Sequence, residues 1–136
     1  LSQSTNDVYP TALKLALHES IDALRAAMRQ LADAFLAKGH EFAPLVKMGR
    51  TQLQDAVPMT LGQEFSAFGH TMLEDVDRLG EVQGLLRETN MGATAIGTGI
   101  TAPNGYAEAV RRHLSALTGL ELVTAPDLVE ATADTG

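Results

Sequence analysis

The stretch LKLALHESIDALRAAMRQLADAF, from Leu13 to Phe35, decides the fold. Leu13, Leu17, Ile21, Leu24, Met28, Leu31 and Phe35 recur at spacings of three and four. With 3.6 residues per turn, that spacing puts them on one face of an α-helix. Ala12, Ala16, Ala23, Ala27 and Ala34 line further faces, and small residues there suit a rod packed on more than one side. Upstream, Asn6-Asp7 reads as the helix cap, and Pro10 is tolerated in the first turn. Downstream, Lys38-Gly39 offers a cation and a left-handed stop. The first helix is expected near residues 10–38.

Periodicity breaks from Phe42 to Thr60. Leu45 to Thr51 and Gln54 to Met59 read as two short extended pieces, a small hairpin. A second apolar face, Leu61, Phe65, Phe68, Met72, Val76, Leu79, Val82 and Leu86, predicts a helix near residues 60–89. Gly80 and Gly84 lie inside it, and each weakens a helix by about 1 kcal/mol relative to Ala. Close backbone packing against another helix is the expected compensation. Gly92 to Gly99 reads as an irregular connection, Tyr106 to Leu117 as a third helix stopped by Gly119, and Glu121 to Thr124 as extended, with Asp127 capping a final stub. The fold class is therefore all-α: two long antiparallel helices with a small β-hairpin between them. Their apolar faces are wider than one partner covers, so further helices, or self-association, should cover the rest.

Composition excludes several functions. The chain has 136 residues, enough for one domain, with 45% hydrophobic and 4% aromatic residues. Net charge is −7 without a basic run, so no nucleic acid is expected as a partner. No apolar run reaches about 18 residues and no signal-peptide pattern opens the chain, so no membrane association and a cytoplasmic location are expected. Cysteine is absent, which excludes disulfides and thiolate chemistry. His18, His40, His70 and His113 lack metal-ligand spacing and read as surface or hydrogen-bonded residues. The glycine-rich stretch lacks the Gly-Lys-Ser/Thr of a phosphate loop. No metal and no cofactor is expected. Both ends read as cut, because Leu1 is no initiator Met and a new helical pattern begins at the end, so a fragment is expected.

Two polar strings remain, Ser4-Thr5-Asn6-Asp7 and Gly49-Arg50-Thr51-Gln52-Leu53-Gln54-Asp55-Ala56. Each opens onto an apolar-periodic segment and offers hydroxyl and amide groups without a nucleophile–base pair. Such groups suit a small, multiply charged anion. They equally suit a helix cap and a hairpin turn, and capping can coexist with binding. Arg50 and Asp55 read as a structural ion pair.

Three blocks also match a family. Ser2 to Ala12, Lys47 to Pro58 and Gly92 to Gly99 resemble, in order and at matching spacing, the conserved blocks of the aspartase/fumarase superfamily. Ser-Thr-Asn and Arg-Thr-Gln look like the aspartate ammonia-lyase branch; class II fumarases more often show Ser-Ser-Asn and Arg-Thr-His. The resemblance implies that residues 1–136 are part of a central helical domain, without the N-terminal domain, the catalytic loop and the C-terminal domain. It implies a homotetrameric parent that reversibly eliminates ammonia from L-aspartate to give fumarate. Ser4 and Thr5 would donate to the β-carboxylate, Asn6 would contact the amino group, Thr51 would bind the α-carboxylate, and Gln52 would lie near the amino group. No catalytic residue is expected here, because the family's serine base would lie beyond Gly136, and the isolated chain is expected to be inactive. A class II fumarate hydratase and a purely structural helical module are the alternatives.

Overall fold

A computed structural model describes residues 3–134. The elements are α1 (Thr5–Glu41), β1 (Val46–Thr51), β2 (Gln54–Thr60), α2 (Leu61–Leu85), β3 (Glu88–Thr89), α3 (Tyr106–Thr118), β4 (Val123–Thr124) and α4 (Glu130–Ala133). They fall into two compact units, residues 21–81 and residues 3–20 with 82–134. The expected all-α class with one small hairpin is what forms.

In the unit of residues 21–81, β1 and β2 pair antiparallel, with Val46 opposite Thr60 and Thr51 opposite Gln54. A bulge between Met48 and Arg50 leaves Gly49 buried under β2, where a Cβ would come within 3.0 Å of the Val57 carbonyl oxygen. α2 starts from a reciprocal cap: the Gln63 N–H donates to Thr60 Oγ1 at 3.1 Å, and the Thr60 N–H donates to Gln63 Oε1 at 2.9 Å. The two helices then run antiparallel. The Cβ position of Gly62 lies 2.7 Å from the Ala43 nitrogen, that of Gly69 meets Leu36, and the Arg25 Nε donates to the Val76 carbonyl at 3.0 Å. Phe35, Phe42, Phe65 and Phe68 pack edge to face with centroids 5.1–6.0 Å apart.

Four expectations change. α1 starts five residues early, at Thr5, and continues past Gly39, ending at Glu41. Gly39 has no left-handed φ; it is buried where α2 approaches, and its missing side chain makes room for Gly62 and Ser66. α2 stops at Leu85, because Glu88–Thr89 leaves the helix to pair in parallel with Val123–Thr124. Gly80 accommodates the Arg25 guanidinium rather than a helix backbone, and a Cβ on Gly84 would meet nothing within 4 Å.

The apolar stripes are only partly covered. Among the described residues of this unit, the fully buried apolar side chains are Ala32 and Val76, whereas Leu24, Leu31 and Phe68 stay 46–48% exposed. The other unit has an apolar centre of Met91, Ala93, Leu122, Ala125 and Ala131. α3 lies where its periodicity predicts, and Gly119 ends it at φ 73, with its N–H on the Ser115 carbonyl. Asp127 Oδ1 accepts the N–H groups of Val129 and Glu130 just ahead of α4. No helix among the described residues is long and apolar enough to cross a membrane.

Candidate functional site

Every buried polar residue among the described residues belongs to the unit that carries the first polar string. They are Asp7, Thr11, His18, Gln83, Thr89, Asn90 and Thr94. Polar groups are expensive to bury, so they concentrate where a fixed arrangement is being held.

Ser4, not Asn6-Asp7, is the cap of α1. Its Oγ accepts the Asn6 N–H at 3.2 Å, and its own N–H donates to Asp7 Oδ1 at 3.0 Å. This is a capping box with Asp in the position usually held by Glu. The cap uses one oxygen lone pair, which leaves the Ser4 hydroxyl proton free to donate. Capping and anion binding are therefore compatible at this atom. The neighbouring Thr5 is exposed on the first turn.

The string is also tied to the 92–99 loop, by links that span 87 and 89 positions of chain. Asp7 is fully buried, and its Oδ2 accepts the Thr94 N–H at 3.0 Å. Thr94 itself sits at φ 61, a left-handed conformation that costs a non-glycine residue about 1–2 kcal/mol. Asn6 Nδ2 donates to the Ala95 carbonyl at 2.6 Å. A backbone carbonyl only accepts, so this contact fixes which end of the amide is which. Asn6 Oδ1 is then the end left to accept, as a contact with an ammonium group requires. The Asn6 carbonyl receives Asn90 Nδ2 at 3.0 Å, and Asn90 also donates to Thr132 Oγ1 at 3.2 Å.

An open depression of about 450 Å³ lies beside these groups, lined by Gln3, Ser4, Thr5, Val8, Tyr9 and Ala12. All its walls come from the start of α1 and the residues before it. Asp7 places a negative charge at the same helix end, where the helix dipole would otherwise favour an anion. A carboxylate bound here must therefore rely on the Ser4 and Thr5 hydroxyls more than on the dipole.

Thr51 and Gln52 stand in the other unit, at the tip of the β1–β2 hairpin. Gln52 and Leu53 form its two-residue turn at φ 52 and 62, a left-handed pair usually built with Asn-Gly. Both side chains are exposed, Leu53 to 96%. Arg50 Nε meets Asp55 Oδ1 across the strands at 3.0 Å. Both partners are largely exposed, so the pair adds little stability. Ser4, Thr5 and Asn6 are thus held together with the 92–99 loop, and Thr51 with Gln52 forms a separate group within its own unit.

Sequence reasoning missed Asp7, Asn90 and Thr94 as the fixing elements. The Ser4-x-x-Asp7 spacing was a usable signal for the first; nothing local marks the other two. His18, expected at the surface or hydrogen-bonded, is buried and hydrogen-bonded: Gln83 Nε2 donates to its carbonyl oxygen at 2.9 Å and lies 3.4 Å from its Nδ1, while its Nε2 has no partner. No group of three or more His, Asp or Glu residues suited to a metal occurs among the described residues.

A family model described as a lyase matches residues 1–136. The chain is 54% identical over 136 residues to an aspartate ammonia-lyase of Corynebacterium glutamicum, covering all of this chain and 26% of that protein. It is 56% identical over 137 residues to that of Pseudomonas aeruginosa, covering 29% of it. Among solved structures, it superposes with a TM-score of 0.92 and 57% identity on a fumarate lyase:delta crystallin from Brucella melitensis bound to cobalt, covering 100% of this chain and 30% of that one. A class II fumarase from Schistosoma mansoni gives a TM-score of 0.82 at 31% identity, covering 97% and 31%. The chain spans between a quarter and a third of the length of these relatives. With three motif blocks in order, a matching fold and a family match along its whole length, the chain belongs to the lyase family that unites aspartate ammonia-lyases and class II fumarases.

Proposed function

We propose that this chain is a central helical segment of an aspartate ammonia-lyase, which reversibly eliminates ammonia from L-aspartate to give fumarate. The observation that carries the reading is the Ser4–Asn6 string, capped and tied to the 92–99 loop with its hydroxyls at the surface. Elimination from a dicarboxylate passes through an intermediate with extra negative charge on one carboxylate. Oriented neutral donors lower that barrier. Ser4 and Thr5 serve the β-carboxylate and Asn6 Oδ1 faces the amino group, while Thr51 of a different subunit binds the α-carboxylate and Gln52 of that subunit lies near the amino group, so the two groups of one chain serve different sites.

None of these groups is a poised base, so the base that removes the carbon-bound proton comes from elsewhere in the protein. The isolated chain is then inactive. In the parent, a cytoplasmic homotetramer, the exposed apolar stripes are covered by other helices. Gln52 cannot titrate, so it orients substrate and exchanges no proton.

A class II fumarase is the second reading, favoured by the fold shared with the Schistosoma enzyme. The test is fumarate formation from L-aspartate, followed by ultraviolet absorbance. Turnover by the full-length protein and none by the 136-residue chain is expected. Ser4→Ala should mainly lower turnover and Thr51→Val should mainly weaken substrate binding. Robust turnover by the isolated chain would overturn the segment reading, and hydration of fumarate without deamination would move the assignment to fumarase.

A further inference from the structure

We propose that Asp7 is the positioning residue that fixes the Ser4–Asn6 string in register with the 92–99 loop. The inference rests on the reading of Ser4 as a substrate donor.

Asp7 is fully buried and cannot touch a ligand itself. Its two carboxylate oxygens are divided between two segments. Oδ1 takes the N–H of Ser4 at 3.0 Å, and Oδ2 takes the N–H of Thr94 at 3.0 Å. One rigid planar group therefore sets the distance between the residue that presents a hydroxyl and the loop that carries Ala95. On the other side of the string, Ala95 holds the Asn6 amide and Asn90 holds the Asn6 carbonyl. With Asp7 in place, Ser4 and Asn6 are both referenced to the same loop.

The division of oxygens explains why an acid is needed. An ionised carboxylate accepts at both oxygens, whereas an amide accepts at one and donates at the other. In Asp7→Asn the amide nitrogen must face the N–H of either Ser4 or Thr94. One link is replaced by a donor–donor contact at nearly unchanged volume. The strained Thr94 backbone then has less to hold it at φ 61.

The test uses the full-length protein with L-aspartate. Asp7→Asn is expected to lower kcat about 10²-fold, the scale of a misplaced reacting group, with a smaller change in KM. In a Ser4→Ala background the same substitution should cost much less, because the residue acts through Ser4. A purely structural role predicts a lower Tm with an unchanged kcat per folded site; that result, or an Asp7→Asn loss in kcat that is equally large in the Ser4→Ala background, overturns the proposal. Unaltered turnover in Asp7→Asn alongside reduced turnover in Ser4→Ala overturns the proposal while sparing the site reading. Unaltered turnover in Ser4→Ala removes the site reading and this inference together. A second measurement is independent of the folding of any variant. In the wild-type protein, the Ser4 and Thr94 amides should both exchange slowly with deuterium; rapid exchange at Ser4 would overturn the link.

Discussion

Asn6 reaches across 89 positions of chain to the Ala95 carbonyl, with its Nδ2 only 2.6 Å from the oxygen. The bond ties the start of a helix to a loop that has no regular ladder of its own. It also decides the chemistry Asn6 has left, since a donor committed to a carbonyl leaves the amide oxygen as the free acceptor.

Asn6→Asp exchanges that donor for a second acceptor and faces an oxygen with an oxygen. The variant is expected to lose about 1–2 kcal/mol, with a lower urea midpoint at an unchanged slope. Asn6→Ala should lose less, because it removes the bond without creating repulsion. Equal stability of the wild type and Asn6→Asp in urea denaturation would show the bond to be dispensable.

Gly62 and Gly84 make a contrasting pair on one helix. A Cβ on Gly62 would come within 2.7 Å of the Ala43 backbone nitrogen, which is not free to move aside. Gly62→Ala should therefore destabilise by about 1–3 kcal/mol. A Cβ on Gly84 meets nothing within 4 Å, and Gly84→Ala should stabilise the isolated chain by about 1 kcal/mol through helix propensity. Differential scanning calorimetry of the two variants should move Tm in opposite directions.

The hairpin tip stores strain at Gln52 and Leu53. Glycine adopts a positive φ without a steric penalty, so Leu53→Gly is expected to stabilise by about 1 kcal/mol. Gln52→Gly should stabilise similarly and, in the full-length protein, weaken L-aspartate binding. Guanidinium melts paired with calorimetric titration separate the two effects. A Gln52→Gly protein that is stabilised and binds normally would remove Gln52 from the site.

Leu24 and Leu31 lie seven residues apart on α1 and are 48% and 46% exposed. The isolated chain is expected to self-associate through this stripe, since solvent-facing apolar rows of this kind mark interfaces. Leu24→Glu with Leu31→Glu should lower the sedimentation coefficient and reduce binding of a hydrophobic dye. A wild-type chain that sediments as a compact monomer and binds no dye would contradict the expectation.

The sequence by itself determined the parts governed by near neighbours. Leucines three and four apart specify α1, the loss of that spacing after Phe42 specifies the hairpin, and Gly119 ends α3, each within a turn or two of chain. Tertiary structure decided the points where distant backbone competes with a local signal. Lys38-Gly39 reads as a stop, yet the helix continues, because the missing Cβ is used to admit α2. Glu88–Thr89 reads as helix, yet pairs with Val123–Thr124, a segment legible as extended but with no local sign of the strand it would meet. The same holds at the candidate site. Ser4, Thr5, Asn6, Thr51 and Gln52 are legible as hydroxyl and amide groups from the sequence, and their expected roles come from the family resemblance. The partners of Asp7 and Asn6 are not, because hydrogen bonds between segments more than 80 residues apart depend on how the chain returns, and periodicity carries no information about that.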